Sequence, residues 1–175
     1  MRDFLLSKLA PFRNNKVLIY NNQNTEDIIS VLLKAHVLYK NEYDKISGYF
    51  WRSNIDKTCR FIWYFLKQNV KYKVEPDTRQ SVKSPAAILS TGIYKNGYND
   101  CKHYSQMIAG ILSALCRKGI KINWCYRFAN YKLFNNVPHH VFVVVKTKNG
   151  EIWIDPVLNS YNNKKPYINK IDKKI

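Results

Sequence analysis

The chain has 175 residues, 46% of them hydrophobic and 14% aromatic, and carries a formal net charge of +17. That is the size of one domain with enough apolar material for a core, which excludes a disordered chain. Four cysteines without CxxC spacing exclude a disulfide scaffold, and four histidines that form no finger-like spacing with them argue against zinc, so no metal or cofactor is expected.

The opening stretch MRDFLLSKLAPF has too short an apolar run and too early an acid for a secretory signal. No segment approaches the roughly 20 apolar residues needed to cross a bilayer, so a cytoplasmic protein without membrane contact is expected. The positive charge favours anionic partners and permits nonspecific contact with nucleic acid. No RNP-type aromatic motif or groove-reading basic helix accompanies it.

In chain order, TEDIISVLLKAHVLY from Thr25 has a capping residue, two acids and then apolar residues at helical spacing, which predicts a helix. A second helix is predicted over IDKTCRFIWYFLKQNV, where Ile55, Cys59, Ile62, Trp63, Phe65 and Leu66 form a broad apolar face. KYKVEPDTRQSVKSP, charged and punctuated by Pro76 and Pro85, reads as a long surface loop, followed by a short helix at AAIL and the turn TGIYKNGYND. The helix after Cys101 is the best-defined element: Tyr104, Ile108, Ile111, Leu112 and Leu115 share one face, and Gly119 stands ready to end it. KINWCYRF and HVFVVVKT read as strands, and Asn149–Gly150 turns the second into EIWIDPV. Helices first and a small antiparallel sheet afterwards give an α+β fold, a single domain over 1–175. Within it, 1–54 forms a helical N-terminal extension and 162–175 a loosely held basic tail.

Cys101 opens a helix, where unpaired N–H groups and the helix dipole favour an anion and can stabilise an oxyanion. Asp100 beside it adds opposing negative charge, although it can also act as the N-cap. Cys59, Cys116 and Cys125 lie in apolar patterns and are expected in the core.

A thiol nucleophile needs a base and a group that orients the base. His140 begins one strand and Asp155 closes the next, on one face by parity. A tight turn at Asn149–Gly150 leaves them roughly 13 Å apart, in which case Asn159 is the orienting residue. A four-residue loop from Thr147 to Gly150, or a bulge, makes them diagonal neighbours, and this looser register is the one expected. His139 is the rival base but faces the other side of a regular strand, and His103, about 200° around the helix from Cys101, is expected at the surface or rim. Tyr94, Asn96, Tyr98 and Asn99 lie upstream of the nucleophile, with Tyr98 and Asn99 preferred as oxyanion or supporting groups. Trp153 is a candidate for packing beneath the site, and a plain core role suits it at least as well.

Four blocks in this order, FLKQNVKYKV, NDCKHYSQMIAGILSALCRKGI, HHVFVVV and WIDP, resemble the transglutaminase-like superfamily of papain-related thiol enzymes. The resemblance runs from about Ile55 to Tyr161 and implies Cys101 as nucleophile, His140 as base and Asp155 as third member of a triad. Many relatives have Gly before the Asp-Cys pair, where this chain has Asn99. The variant is similar to small phage and prophage proteins, which implies host cytoplasm or virion as the location. The expected activity is hydrolysis of a peptide bond or side-chain amide, on a protein or peptide substrate that the charge suggests is acidic. Amine transfer is the less favoured outcome, because the short chain has no calcium loop or added domain. The alternative is a non-catalytic basic protein that keeps the fold for binding, for example as a virion component.

Overall fold

The computed structural model describes residues 1–10, 16–19, 25–76, 80–90, 99–133 and 137–174. Its helices are α1 (Arg2–Lys8), α2 (Thr25–Leu38), α3 (Lys40–Ile46), α4 (Ile55–Asn69), α5 (Pro85–Leu89) and α6 (Cys101–Arg117), with a 3-10 turn at Ser47–Phe50. Its strands are β1 (Lys16–Ile19), β2 (Gln80–Lys83), β3 (Asn123–Asn130), β4 (His140–Thr147), β5 (Gly150–Ile154) and β6 (Asn169–Lys173). β1 pairs with β2, and the other four form an antiparallel sheet in the order β5-β4-β3-β6. The α+β class read from the sequence is what the chain adopts. Among the described residues no helix is long and apolar enough to cross a membrane.

Helix α6 is the axis of the fold. Its sequence marks one apolar face, yet nearly every residue from Lys102 to Leu115 is buried. The sheet covers one side through Trp124, Tyr126, Phe128, Val141, Val143, Val145, Ile152 and Ile154, and α2, α3 and the 3-10 turn cover the other. The N-terminal helices thus share this core. Small residues make the double packing possible: Gly110 lies so close to the Tyr43 ring that a Cβ there would meet ring carbons at 2.3–2.4 Å. Gly119 ends the helix with φ +90, with Gly119 N–H donating to Cys116 O at 3.0 Å and Ile120 N–H to Leu115 O at 3.1 Å, a Schellman ending.

Three segments differ from the sequence reading. The stretch read as a surface loop contains β2, and Glu75, Ser81, Lys83 and Ser84 are buried. Their polar atoms find partners inside, so charge there does not mean exposure. The basic tail supplies the edge strand β6, paired with β3 from Tyr126↔Lys173 to Asn130↔Asn169. Its anchor is Asp172, which accepts from the fully buried Arg127 at 2.7 and 2.8 Å while Glu151 takes the rest of the guanidinium at 2.7 and 2.9 Å. The β4–β5 turn is the third difference. Thr147 pairs with Gly150, so the turn is Lys148–Asn149 and Gly150, at φ +115, already belongs to β5. The register is nonetheless the looser one expected, reached by moving a two-residue turn one position back along the chain.

Candidate active site

That register sets the distance that matters. His140 and Asp155 become diagonal neighbours, and His140 Nε2 lies 2.7 Å from Asp155 Oδ2. The other carboxylate oxygen, Oδ1, accepts from Val157 N–H at 3.1 Å, so both oxygens are held. Helix α4 fixes the same segment from behind. The Trp63 indole donates to Asp155 O at 2.9 Å, and the Lys67 ammonium donates to the carbonyls of Pro156 and Leu158, both at 3.0 Å. Asn159 lies exposed beyond this anchored turn.

Cys101 is brought to the same place by the first turn of α6. Ser105 Oγ donates to Val141 O at 2.9 Å, pinning that turn beside the start of β4. Cys101, half-buried, lines one cavity of about 590 Å³ together with His140. With Nε2 on Asp155, Nδ1 is the ring nitrogen left for the thiol. Burial works to lower the His140 pKa, but hydrogen bonds and charge from Asp155 and Cys101 prevail and raise it to about 10. His139, exposed, lines the cavity as well, and Tyr131 has its ring centroid 5.9 Å from both imidazoles.

Beneath Cys101 lies a group of charges that sequence reasoning missed. Asp100 is the N-cap of α6: its carboxylate accepts from Lys102 N–H at 3.0 Å, and Asp100 N–H donates to His103 Nδ1 at 3.1 Å, a capping box with histidine in the third position. His103 is fully buried, not at the rim as its helical angle suggested, because α6 has no solvent face at that level. The Lys102 ammonium bonds Asp100 and Gln80 and sits 3.5 Å from Glu75, which pairs with Lys83 at 3.2 Å. Ser81 donates to Glu75 through both N–H (2.6 Å) and Oγ (2.5 Å). Burial works to raise the Asp100 pKa, yet His103 and Lys102 hold the carboxyl well below its usual range. Burial lowers the pKa of His103. Two carboxylates and two ammoniums therefore balance. Asp100 does not confront the thiol as a bare negative charge, which answers the objection its position raised.

Glu75, Asp100 and His103 offer ligand atoms within 4.8 Å of one another, the spacing of a metal site. The two buried ammonium groups already supply the positive charge that a cation would bring, and the residues do not fit a metal.

Of the upstream candidates, Tyr94, Asn96 and Tyr98 lie outside the described residues. Asn99 is buried, donates from Nδ2 to Ile88 O at 3.0 Å and accepts at its backbone carbonyl from Lys73 N–H at 2.9 Å. It braces the turn that leads into Cys101. Tyr72 is a cavity residue that the sequence does not mark: burial, and after it the charges of Cys101, Asp100 and Asp155, push its phenol well above the usual range. Nothing in KYKVEPDTR marks that tyrosine among thirteen in the chain. Trp153 lies on the sheet face away from α6, the face of His140 and Phe142: its ring centroid is 5.0 Å from that of Phe142, which is itself 5.9 Å from His140, and 5.7 Å from Tyr167.

The fold is similar to that of a protein from Parabacteroides distasonis described as a "putative protease", with a TM-score of 0.55 at 12% identity. The likeness covers 78% of this chain and 26% of that one, so this chain spans about a quarter of its length. No family model and no curated protein matches the chain.

Proposed function

We propose that this protein is a cysteine peptidase or amidase of transglutaminase-like type, working through Cys101, His140 and Asp155. The observation that carries the reading is the contact of 2.7 Å between the buried Asp155 and His140, a histidine that shares its cavity with Cys101. The thiol proton of Cys101 passes to His140, whose proton affinity is raised, and a thiolate–imidazolium pair results. The sulfur attacks the carbonyl carbon, and the charge that develops on oxygen is met by the N–H of Cys101 itself, since the Asp100 cap takes those of Lys102 and His103. His140 then passes its proton to the leaving nitrogen as the C–N bond breaks, leaving a thioester on Cys101. Water adds to the thioester, giving its proton to His140, and the C–S bond breaks to release the acid and restore the thiolate. Asp155 keeps Nε2 occupied, so that Nδ1 faces the sulfur throughout.

The test is labelling by a thiol-directed acyl-transfer probe, read by mass spectrometry of intact protein and peptides. One adduct at Cys101, lost in Cys101→Ala and reduced at least roughly 10²-fold in His140→Ala, is the expected result. Equal labelling of Cys101 and Cys116, the other half-buried thiol, would overturn it.

A further inference from the structure

The charged groups around the cavity do not cancel. Asp100 and Lys102, both in the wall, neutralise each other through their ion pair. His140 is matched by Asp155. Lys165 remains, in the wall on the His140 side, and among the described residues it forms no ion pair. Its Nζ sits 4.5 Å from the centroid of the Tyr131 ring, which touches His139 and His140 in turn. Lys132 adds a second exposed cation next to Tyr131, likewise without an ion pair among the described residues. Both lysines act on His139, where, after burial, they help lower the proton affinity, so the positive field reaches into this part of the cavity. The remaining wall is uncharged and largely apolar, with Ile28, Val74, Phe128, Val141, Val157 and Leu158 beside the polar Thr25, Tyr72 and Gln80.

We infer that the Tyr131–Lys165–His139 rim is a carboxylate-binding subsite, so that the substrate presents an acidic group beside the bond whose carbonyl meets Cys101 and an apolar group to the rest of the cavity. This rests on Cys101 being the reacting thiol. A cation resting on an aromatic face, in reach of solvent and without an acidic partner, keeps its attraction for an incoming carboxylate. The bulk charge of the chain would draw any anion to the surface, whereas this rim fixes where along the substrate the carboxylate must lie.

The test compares alkylation of Cys101 by iodoacetate and by iodoacetamide, which differ by one carboxylate. The rate ratio is measured in wild type, Lys165→Ala, Lys165→Glu and, as a distant control, Lys148→Glu. The imidazolium also attracts iodoacetate, but it is common to all four proteins. The expected result is a fall in the iodoacetate preference of roughly threefold to tenfold in Lys165→Glu, a smaller fall in Lys165→Ala, and none in Lys148→Glu. An unchanged ratio in both Lys165 variants, with rapid reaction at Cys101, would overturn the subsite and leave the acyl-transfer reading intact. Slow alkylation of Cys101 in every protein would instead count against that reading, while the ratio still reports on the rim.

Peptide mixtures incubated with wild type then distinguish the two sources of carboxylate. Cleavage next to Asp or Glu within C-terminally amidated peptides identifies a side chain. Cleavage only near free C-termini identifies the α-carboxylate. Cleavage indifferent to both would overturn the proposal.

Discussion

The Trp63 indole N–H donates to the backbone carbonyl of Asp155 at 2.9 Å, across 92 residues of sequence, so helix α4 sets the place of a carboxylate whose side chain holds His140. Trp63→Phe keeps most of the apolar ring and leaves that buried carbonyl without its donor. The cost is about 1–2 kcal/mol of stability, read from urea unfolding. If the proposed acyl transfer is the reaction, activity should also fall by roughly tenfold, in kcat more than in KM, because the displaced group would position His140 and not bind substrate. A variant with wild-type kcat would show that the Lys67 contacts alone hold the turn.

Asp155→Asn preserves the shape of that contact and removes its charge. In the folded protein His140 titrates near 10, against an ordinary value of 6.5, so the native state binds this proton more tightly than the unfolded chain. The stabilisation is present in full below about pH 6.5 and is lost as pH rises through about 10. In the variant, the ring resonances of His140 should titrate at least about one unit lower by NMR, since an attractive charge is gone. Its Tm should fall below that of wild type at pH 6, with the gap narrowing toward pH 10. A gap that stays constant across this range would assign the effect of Asp155 to its bond with Val157.

Much of this is legible in the chain itself. α2, α4 and α6 follow from apolar spacing and caps, and β3, β4 and β5 from runs of β-branched and aromatic residues. Cys101 and the His140–Asp155 pair follow from a helix start and strand parity. The hidden charged groups share one cause: charge in a sequence reads as exposure. Glu75, Lys83, Lys102 and His103 look like surface residues until the partners of each are known. Those partners come from β2, the turn before α6 and α6 itself, segments joined only in the fold. His103 illustrates the point. Its angle from Cys101 is right, but the assumption that a helix has a wet side fails for a helix packed between sheet and helices.

Lys102→Met tests whether that hidden cluster is structural. The substitution retains the aliphatic length and withdraws the ammonium shared by Asp100, Glu75 and Gln80, leaving carboxylates buried without enough countercharge. A loss of about 3–5 kcal/mol is expected, measured by chemical denaturation at neutral pH. The double variant Lys102→Met with Glu75→Gln restores the charge balance with Lys83 and Asp100 and should recover part of the loss. Additive losses in the double variant would show that the two groups are not coupled.

Gly110→Ala probes how closely α6 and α3 pack. The added carbon would lie 2.3–2.4 Å from the Tyr43 ring, which is itself buried, so the ring or the helix must shift. Overpacking of this kind costs about 1–3 kcal/mol, more than the helix propensity of alanine returns. Gly110→Ala combined with Tyr43→Leu should regain stability relative to Gly110→Ala alone. If the single variant is as stable as wild type, the two helices are not in the tight contact described.

Arg127 is the clamp that turns a lysine-rich tail into a strand. Its side chain is fully buried, divides its donors between Glu151 and Asp172, and stands 5.3 Å from the Trp153 ring centroid and 5.8 Å from that of Tyr167. Arg127→Leu leaves the two carboxylates facing one another across β3 with only surface lysines near. The amides of Asn169–Lys173 should then lose hydrogen-exchange protection by roughly 30-fold or more, while those of β4 and β5 keep theirs. Acid should imitate the substitution. The Arg127 guanidinium holds Glu151 down to about 2, and Asp172 is lowered by the same group against the effect of burial. Both pKa values are depressed, so their contribution is present above about pH 4.5 and lost as pH falls through about 2. β6 should therefore open first on acidification of wild type, whereas in Arg127→Leu acid should restore part of its protection by neutralising the two facing carboxylates. Loss of protection spread evenly over the whole sheet would place Arg127 in the global core and not at a local clamp.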